Sequence, residues 1–178
     1  IDAHGLTIAA SNWRDPLTFV GQNYYFRPYF QDAIEVGSGR FYGLGTVSQK
    51  PGYYLAQRVD RGALALGVVV VKVDLGDLDA RWDENQDTMV VTDENGIAFL
   101  SSRKEWKFRA LRALDQKTID KLEKAQQYGP RVKEHVPMQY EAELGNGDTI
   151  VRISEGDGAS ATRQARYLVR SSSLPGAK

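Results

Sequence analysis

The chain has 178 residues, 42% of them apolar, enough for one large domain or two small ones around a real hydrophobic core. Its 23 basic residues balance 23 acidic ones, and residues 1–82 alone hold eight of each, so no basic face for nucleic acid is implied. Cysteine is absent, which excludes a disulfide scaffold, a thiolate nucleophile and cysteine-ligated zinc.

The first residues, IDAHG, carry neither a charged leader nor an apolar signal core, and SSSLPGAK follows directly on a strand-like run, so the sequence reads as a piece excised from a longer protein. The longest apolar runs, such as that from Val68 to Val71, are strand-sized, and a membrane anchor is expected outside these residues.

In chain order, the turn Asp-x-x-Gly at residues 2–5, with Gly5 free to take a positive φ, leads into an expected strand over residues 6–11. Pro28 suits a first helical turn and Gly37 a C-terminal cap, which predicts a helix over 28–36 with Arg27 at its entrance. Strands at 41–48 and 53–59 flank KPGY, where Pro51 and Gly52 read as the turn pair of a hairpin. The nearly continuous apolar run over 66–75 predicts a strand that is central or covered on both faces.

The same order then recurs. DAHGLTIAAS at residues 2–11 and DENGIAFLSS at 93–102 share Asp, Gly and Ser at matching positions, and Leu6 and Ile8 are answered by Ile97 and Phe99. Strands are expected at 89–92 and 97–101, a helix over 114–128 ended by Gly129 and Pro130, a hairpin of 138–144 and 149–154 around GNGD, and a last strand at 167–172. Two homologous modules follow, residues 1–82 and 83–178, in an α+β fold where each module has a central antiparallel sheet with a flanking helix.

The chemistry gathers in the first module. Lys72 lies in GVVVVKVDL on the same strand face as Val68 and Val70, where an ammonium is costly without a partner. Arg27 stands among the aromatic rings of NYYFRPYF. Tyr42, Leu44, Thr46 and Ser48 share a face of the hairpin, Gly43 and Gly45 leave room on the other, and Tyr53 and Tyr54 follow the turn. Two cations with hydroxyl donors fit a ligand with two carboxylates. Each residue also has a plainer account: Arg27 could stack on aromatic rings or pair with Asp32, Lys72 could extend to solvent from a strand edge, and threonine and tyrosine are ordinary strand residues. The basic stretch 103–112, with Trp106 and Phe108, reads as a solvated amphipathic surface without a ligand. His4 and His135 lack metal spacing, and no nucleophile set accompanies them, so catalysis is not expected.

The segments GQNYYFRPYFQDAIEVGSGRFYGLGTVSQKPGYYLAQRV, GVVVVKVDL, VTDENGIAFLSS and RYLVRSSSLP together resemble the periplasmic sensor region of four-carbon dicarboxylate sensor histidine kinases. The resemblance implies tandem PAS-like modules of the double Cache (PDC) type, with succinate, fumarate or malate bound in the membrane-distal module, residues 1–82. It implies ligand contacts from Tyr24, Arg27, Thr46, Ser48, Tyr53 and Lys72. It implies no cofactor, an intact receptor that is a homodimer in a bacterial inner membrane, and a dicarboxylate transporter as a partner. The family's long amino-terminal helix and its kinase core are not in this sequence, so the chain itself is not expected to transfer phosphate. A chemoreceptor or kinase sensor for another organic acid or an amino acid is the alternative, for which Asp74 is the candidate ammonium partner. A purely structural interaction domain is a third class.

Overall fold

The computed structural model describes residues 1–74, 87–155 and 163–173. The boundary expected near residues 82–86 therefore lies outside the described residues, as does the end of the strand expected over 66–75. The first elements are helix α1 (Pro28–Val36) and strands β1 (Ser38–Leu44), β2 (Pro51–Arg61) and β3 (Leu64–Asp74). They are followed by β4 (Val90–Thr92), β5 (Ala98–Ser101), α2 (Gln116–Lys124), β6 (Met138–Glu143), β7 (Thr149–Glu155) and β8 (Arg163–Val169). All described strand pairs are antiparallel, in the orders β1-β2-β3, β4-β5 and β6-β7-β8, and the fold is α+β, as expected.

The repeated Asp-x-x-Gly segments fold alike. Asp2 Oδ1 accepts from the N–H groups of His4 and Leu6, and Asp93 Oδ1 from those of Asn95 and Ile97, all at 2.9 Å. In both copies the glycine has a positive φ, +87° at Gly5 and +78° at Gly96, and donates its N–H back to the aspartate carbonyl. The residue after the glycine then bridges to a later segment, Leu6 to Asn23 and Ile97 to Ala110.

Helix α1 spans the residues expected of it. Pro28 occupies the first turn, and Gly37 (φ +94°) ends the helix by donating its N–H to Ala33 O at 3.0 Å. Its buried residues Tyr29, Phe30 and Ala33 pack on Phe41, Tyr54, Ala56 and Val68 of the first sheet. A second cluster, of Tyr42, Ile97, Ala110, Leu122, Tyr128 and Val132, joins the back of β1 to α2, and a third forms around Trp106, Val136, Val151 and Ile153.

Several expectations are corrected. Of residues 6–11 only Leu6 makes a bridge, because the neighbouring backbone groups are used elsewhere: the Thr7 N–H donates to Gln22 O. Pro51 and Gly52 belong to β2, and the chain turns earlier, where Gly45 donates to Lys50 O and Gln49 to Gly45 O. Strand β3 sits at the end of its sheet's order with Val69, Val71 and Val73 exposed, so its apolar run did not signal cover on both faces. Helix α2 is shorter than expected, because Leu114 precedes the Asp115 cap and Gln126 takes a left-handed φ of +49°. The last strand starts at Arg163 rather than at residue 167. The 103–112 stretch is not a simple solvated face: Trp106 is buried, and Arg103 lies 4.9 Å from its ring and donates to the Tyr167 hydroxyl at 2.8 Å.

Candidate functional site

A cavity of about 930 Å³ opens between the entrance of α1, residues 7–11 and the inner face of the first sheet. Register decides which side chains reach it. Tyr54 pairs with Lys72, Ala56 with Val70 and Arg58 with Val68, so these residues share one face, and Tyr54, Val68, Val70 and Lys72 line the cavity. Tyr24, Arg27, Tyr29, Gly45 and Thr46 complete its polar end.

Tyr24 is held by the first Asp-x-x-Gly turn, since its N–H donates to Gly5 O at 2.8 Å, and its own carbonyl accepts from the Arg27 N–H. Arg27 follows as the residue before α1 and is 1% exposed. Its guanidinium meets no carboxylate among the described residues. It donates instead to three main-chain carbonyls, Leu44 at 2.7 Å, Gln126 at 3.1 Å and Ala125 at 3.2 Å, and lies 5.2 Å from the Phe41 ring. The pairing with Asp32 allowed by the sequence is not made. Burial lowers the Arg27 pKa, with the neighbouring tyrosines opposing, yet a guanidinium stays charged at any ordinary pH. Three neutral acceptors orient this cation without cancelling its charge.

Lys72 Nζ donates to Ser48 Oγ at 2.9 Å and to Lys50 O at 3.1 Å, and it too has no ion pair among the described residues. Burial lowers its pKa, with Asp74 opposing and Lys50 and Arg27 adding to the fall. The Tyr54 ring stacks on Tyr29, centroids 5.2 Å apart and 6° from parallel, and burial pushes the Tyr54 hydroxyl up to about 12, so it remains a proton donor. Gly45 completes this end. Its φ is not left-handed, but a Cβ there would collide with Ser48 Oγ and lie 3.1 Å from both Lys72 Nζ and the Tyr54 hydroxyl. A side chain there would make the Ser48 hydroxyl shift, so it is space rather than backbone conformation that favours glycine.

Of the residues expected to form the site, Tyr24, Arg27, Thr46 and Lys72 line the cavity, and Ser48 reaches it through the Lys72 ammonium. Tyr53 does not: it pairs with Val73 on the opposite face and packs against the second cluster with Tyr42 and Phe99. Its neighbour Tyr54 takes the inward place, and the direct pairing of Tyr54 with Lys72 was the signal that could have found it. Thr7 was also missed. It is buried in the cavity wall, and its hydroxyl has no partner among the described residues. No aspartate or glutamate is among the described residues lining the cavity, and Asp74 lies exposed at the end of β3. Among the described residues no cluster of three His, Asp or Glu could hold a metal ion, and no helix is long and apolar enough to cross a membrane.

No known family model matches the chain. It is 32% identical over 172 residues, 96% of its length, to the C4-dicarboxylate transport sensor protein DctB of Rhizobium meliloti, covering 28% of that protein. It is 38% identical over 146 residues, 82% of its length, to the protein of the same name from Pseudomonas aeruginosa, covering 24% of it. The chain thus spans about a quarter of the length of these two relatives. Among solved structures, the sensor domain of the V. cholerae histidine kinase DctB superposes with a TM-score of 0.81 at 34% identity, over 98% of this chain and 66% of that one.

Proposed function

Since this chain is a homologue of the sensor region of the C4-dicarboxylate transport sensor proteins, we propose that it is the periplasmic ligand-binding part of a two-component histidine kinase and takes four-carbon dicarboxylates. The observation that carries this reading is the pair of cations, Arg27 and Lys72, that face one cavity with hydroxyls beside them and no carboxylate bound to either among the described residues. Tyr24, Thr46, Ser48 and Tyr54 supply the hydroxyls. The absence of any described acidic lining residue favours a diacid over an amino acid, whose ammonium needs a carboxylate.

In this reading residues 1–82 form the ligand-binding PAS-like module and 83–178 the membrane-proximal one. A dicarboxylate that joins Arg27 at the α1 entrance to Lys72 on β3 favours the closed arrangement of the first module, by as much as it binds that arrangement better. The change leaves through β8 toward the membrane and sets the activity of the kinase in the whole protein. Homodimerisation of the intact receptor and contact with a dicarboxylate transporter belong to the same reading and rest on the family resemblance.

Competition calorimetry with butyrate, succinate and adipate tests it. A monocarboxylate leaves one desolvated cation without a partner, and such a charge costs roughly 3 to 5 kcal/mol when buried. Solvent near Lys72 softens that, so succinate is expected to bind at least about a hundredfold more tightly than butyrate. Fumarate and malate are expected to bind with succinate, and the six-carbon diacid to be rejected. Equal affinities for butyrate and succinate would leave a single anion anchor and sink the two-cation site.

A further inference from the structure

We propose that the second half of the chain is a working part of the anion site: the C-terminal end of α2, held in place by Gln127, positions the Arg27 guanidinium for its ligand. The inference rests on the dicarboxylate reading above and adds to it a positioning residue more than fifty residues beyond the cavity-lining strands.

The carbonyl groups at the end of α2 show how this works. Those of Lys121, Leu122 and Glu123 are taken by the N–H groups of Ala125, Gln127 and Gln126, which closes the helix. Those of Ala125 and Gln126 point at Arg27 and accept from its Nη1, and the one after, Gln127, accepts from the Leu44 N–H at 2.8 Å. Three successive carbonyls thus serve the first half of the molecule. The C-terminus of a helix carries partial negative charge, so this end attracts a cation without supplying the carboxylate that would compete with a ligand.

Leu44 is gripped from two sides, its N–H by Gln127 O and its carbonyl by Arg27 Nη2, and Gly45 and Thr46 of the cavity follow it directly. The Gln127 side chain fixes the segment: Nε2 donates to Tyr42 O at 2.9 Å and to the Tyr128 hydroxyl at 3.0 Å, and that hydroxyl donates to Asp93 Oδ2 at 3.0 Å. Gln127 touches no ligand in this scheme. It acts through Arg27, and by reciprocity a ligand that draws Arg27 into register also strengthens its hold on α2.

The test uses the full chain and reads the ratio of succinate to butyrate affinity by calorimetry, with the ligand-free melting temperature beside it. In Gln127→Ala, Arg27 is still present but no longer fixed, so succinate affinity is expected to fall about tenfold while butyrate, which can fall back on Lys72, loses less, and the ratio contracts. Tyr128→Phe removes one of the two acceptors of Gln127, is expected to contract the ratio by a smaller factor, and keeps the test open should Gln127→Ala not fold. A general loosening of the protein would lower both affinities alike. An unchanged ratio in the folded variants overturns the positioning role and leaves the dicarboxylate reading standing, whereas unaltered protein that binds neither acid overturns the reading and this inference together.

Discussion

The two halves of the chain start with the same turn and the same bridge, then part at the helix entrance. In the second half Asp115 caps α2 in the ordinary way, its Oδ1 accepting from the Thr118 N–H at 2.7 Å. In the first half the corresponding place before α1 is held by Arg27, which makes no side-chain cap bond. Arginine there forgoes a strong helix-entry signal and sets a cation beside the positive end of α1. Helix stability alone would select against it. The guanidinium reaches instead to the negative end of α2, so the residue that is wrong for its own helix is right for the other one. One scaffold thus carries a buried cation at the helix entrance in one copy and an ordinary capped helix in the other.

The largest effect expected of this difference comes from truncating each entrance residue. Arg27→Ala should reduce succinate affinity at least about a hundredfold, because charged hydrogen bonds contribute about 1.5 to 3 kcal/mol each. It should also destabilise the ligand-free protein by about 2 to 4 kcal/mol, since the carbonyls of Leu44, Ala125 and Gln126 lose their donor. Asp115→Ala should lower the melting temperature slightly and leave affinity unchanged. Calorimetry and thermal unfolding of the two variants check both statements, and equal effects on binding would erase the contrast between the halves.

The next effect is a pH dependence confined to the first half. Burial holds the Lys72 pKa below its ordinary value, and a bound dianion raises it again. Affinity should therefore be constant where the ligand is a full dianion and the pH lies below the ligand-free Lys72 pKa, and decline as pH rises through that pKa, by at most about tenfold per pH unit. The sign for stability is opposite. A lysine whose folded pKa is depressed opposes folding while it is charged, and that opposition fades as it deprotonates, so the ligand-free protein should gain slightly where the affinity falls. Lys72→Arg keeps its charge and should flatten the binding profile measured over about pH 7 to 10.

The smallest contrast lies between the two copies of the turn. Asp93 Oδ2 also accepts from the buried Tyr128 hydroxyl, whereas the Asp2 carboxylate accepts, among the described residues, only from the nearby His4 and Leu6 N–H groups. Asp93→Ala should cost about 1 to 3 kcal/mol in denaturant unfolding, because the phenol is left without its acceptor, and Asp2→Ala should cost less. The opposite order would show that the repeat is held by the turns alone.

What the sequence revealed, and what it did not, follows from the range of the interactions. Helix α1 was legible to the residue because Pro28 and Gly37 fix its ends locally. The repeated turns were legible because each is built from five consecutive residues. That Arg27 and Lys72 line one cavity was legible because a cation within an apolar run is anomalous wherever the chain goes. Tyr53 was chosen over Tyr54 because side-chain parity depends on where the hairpin turns, and placing that turn at Pro51 and Gly52 hid the pairing of Tyr54 with Lys72. The partners of Arg27 were not legible at all. Main-chain carbonyls 98 and 99 residues away carry no side-chain signature, and only the packed fold brings them together.

Gly45 leaves the polar end of the cavity open to change by a single substitution. Glycine and alanine codons differ at one base, and the added methyl group would stand among the Ser48 hydroxyl, the Lys72 ammonium and the Tyr54 phenol without imposing a forbidden backbone angle. In the dicarboxylate reading, Gly45→Ala is therefore expected to displace the Ser48 hydroxyl from Lys72 and weaken the ligand while keeping the folded domain.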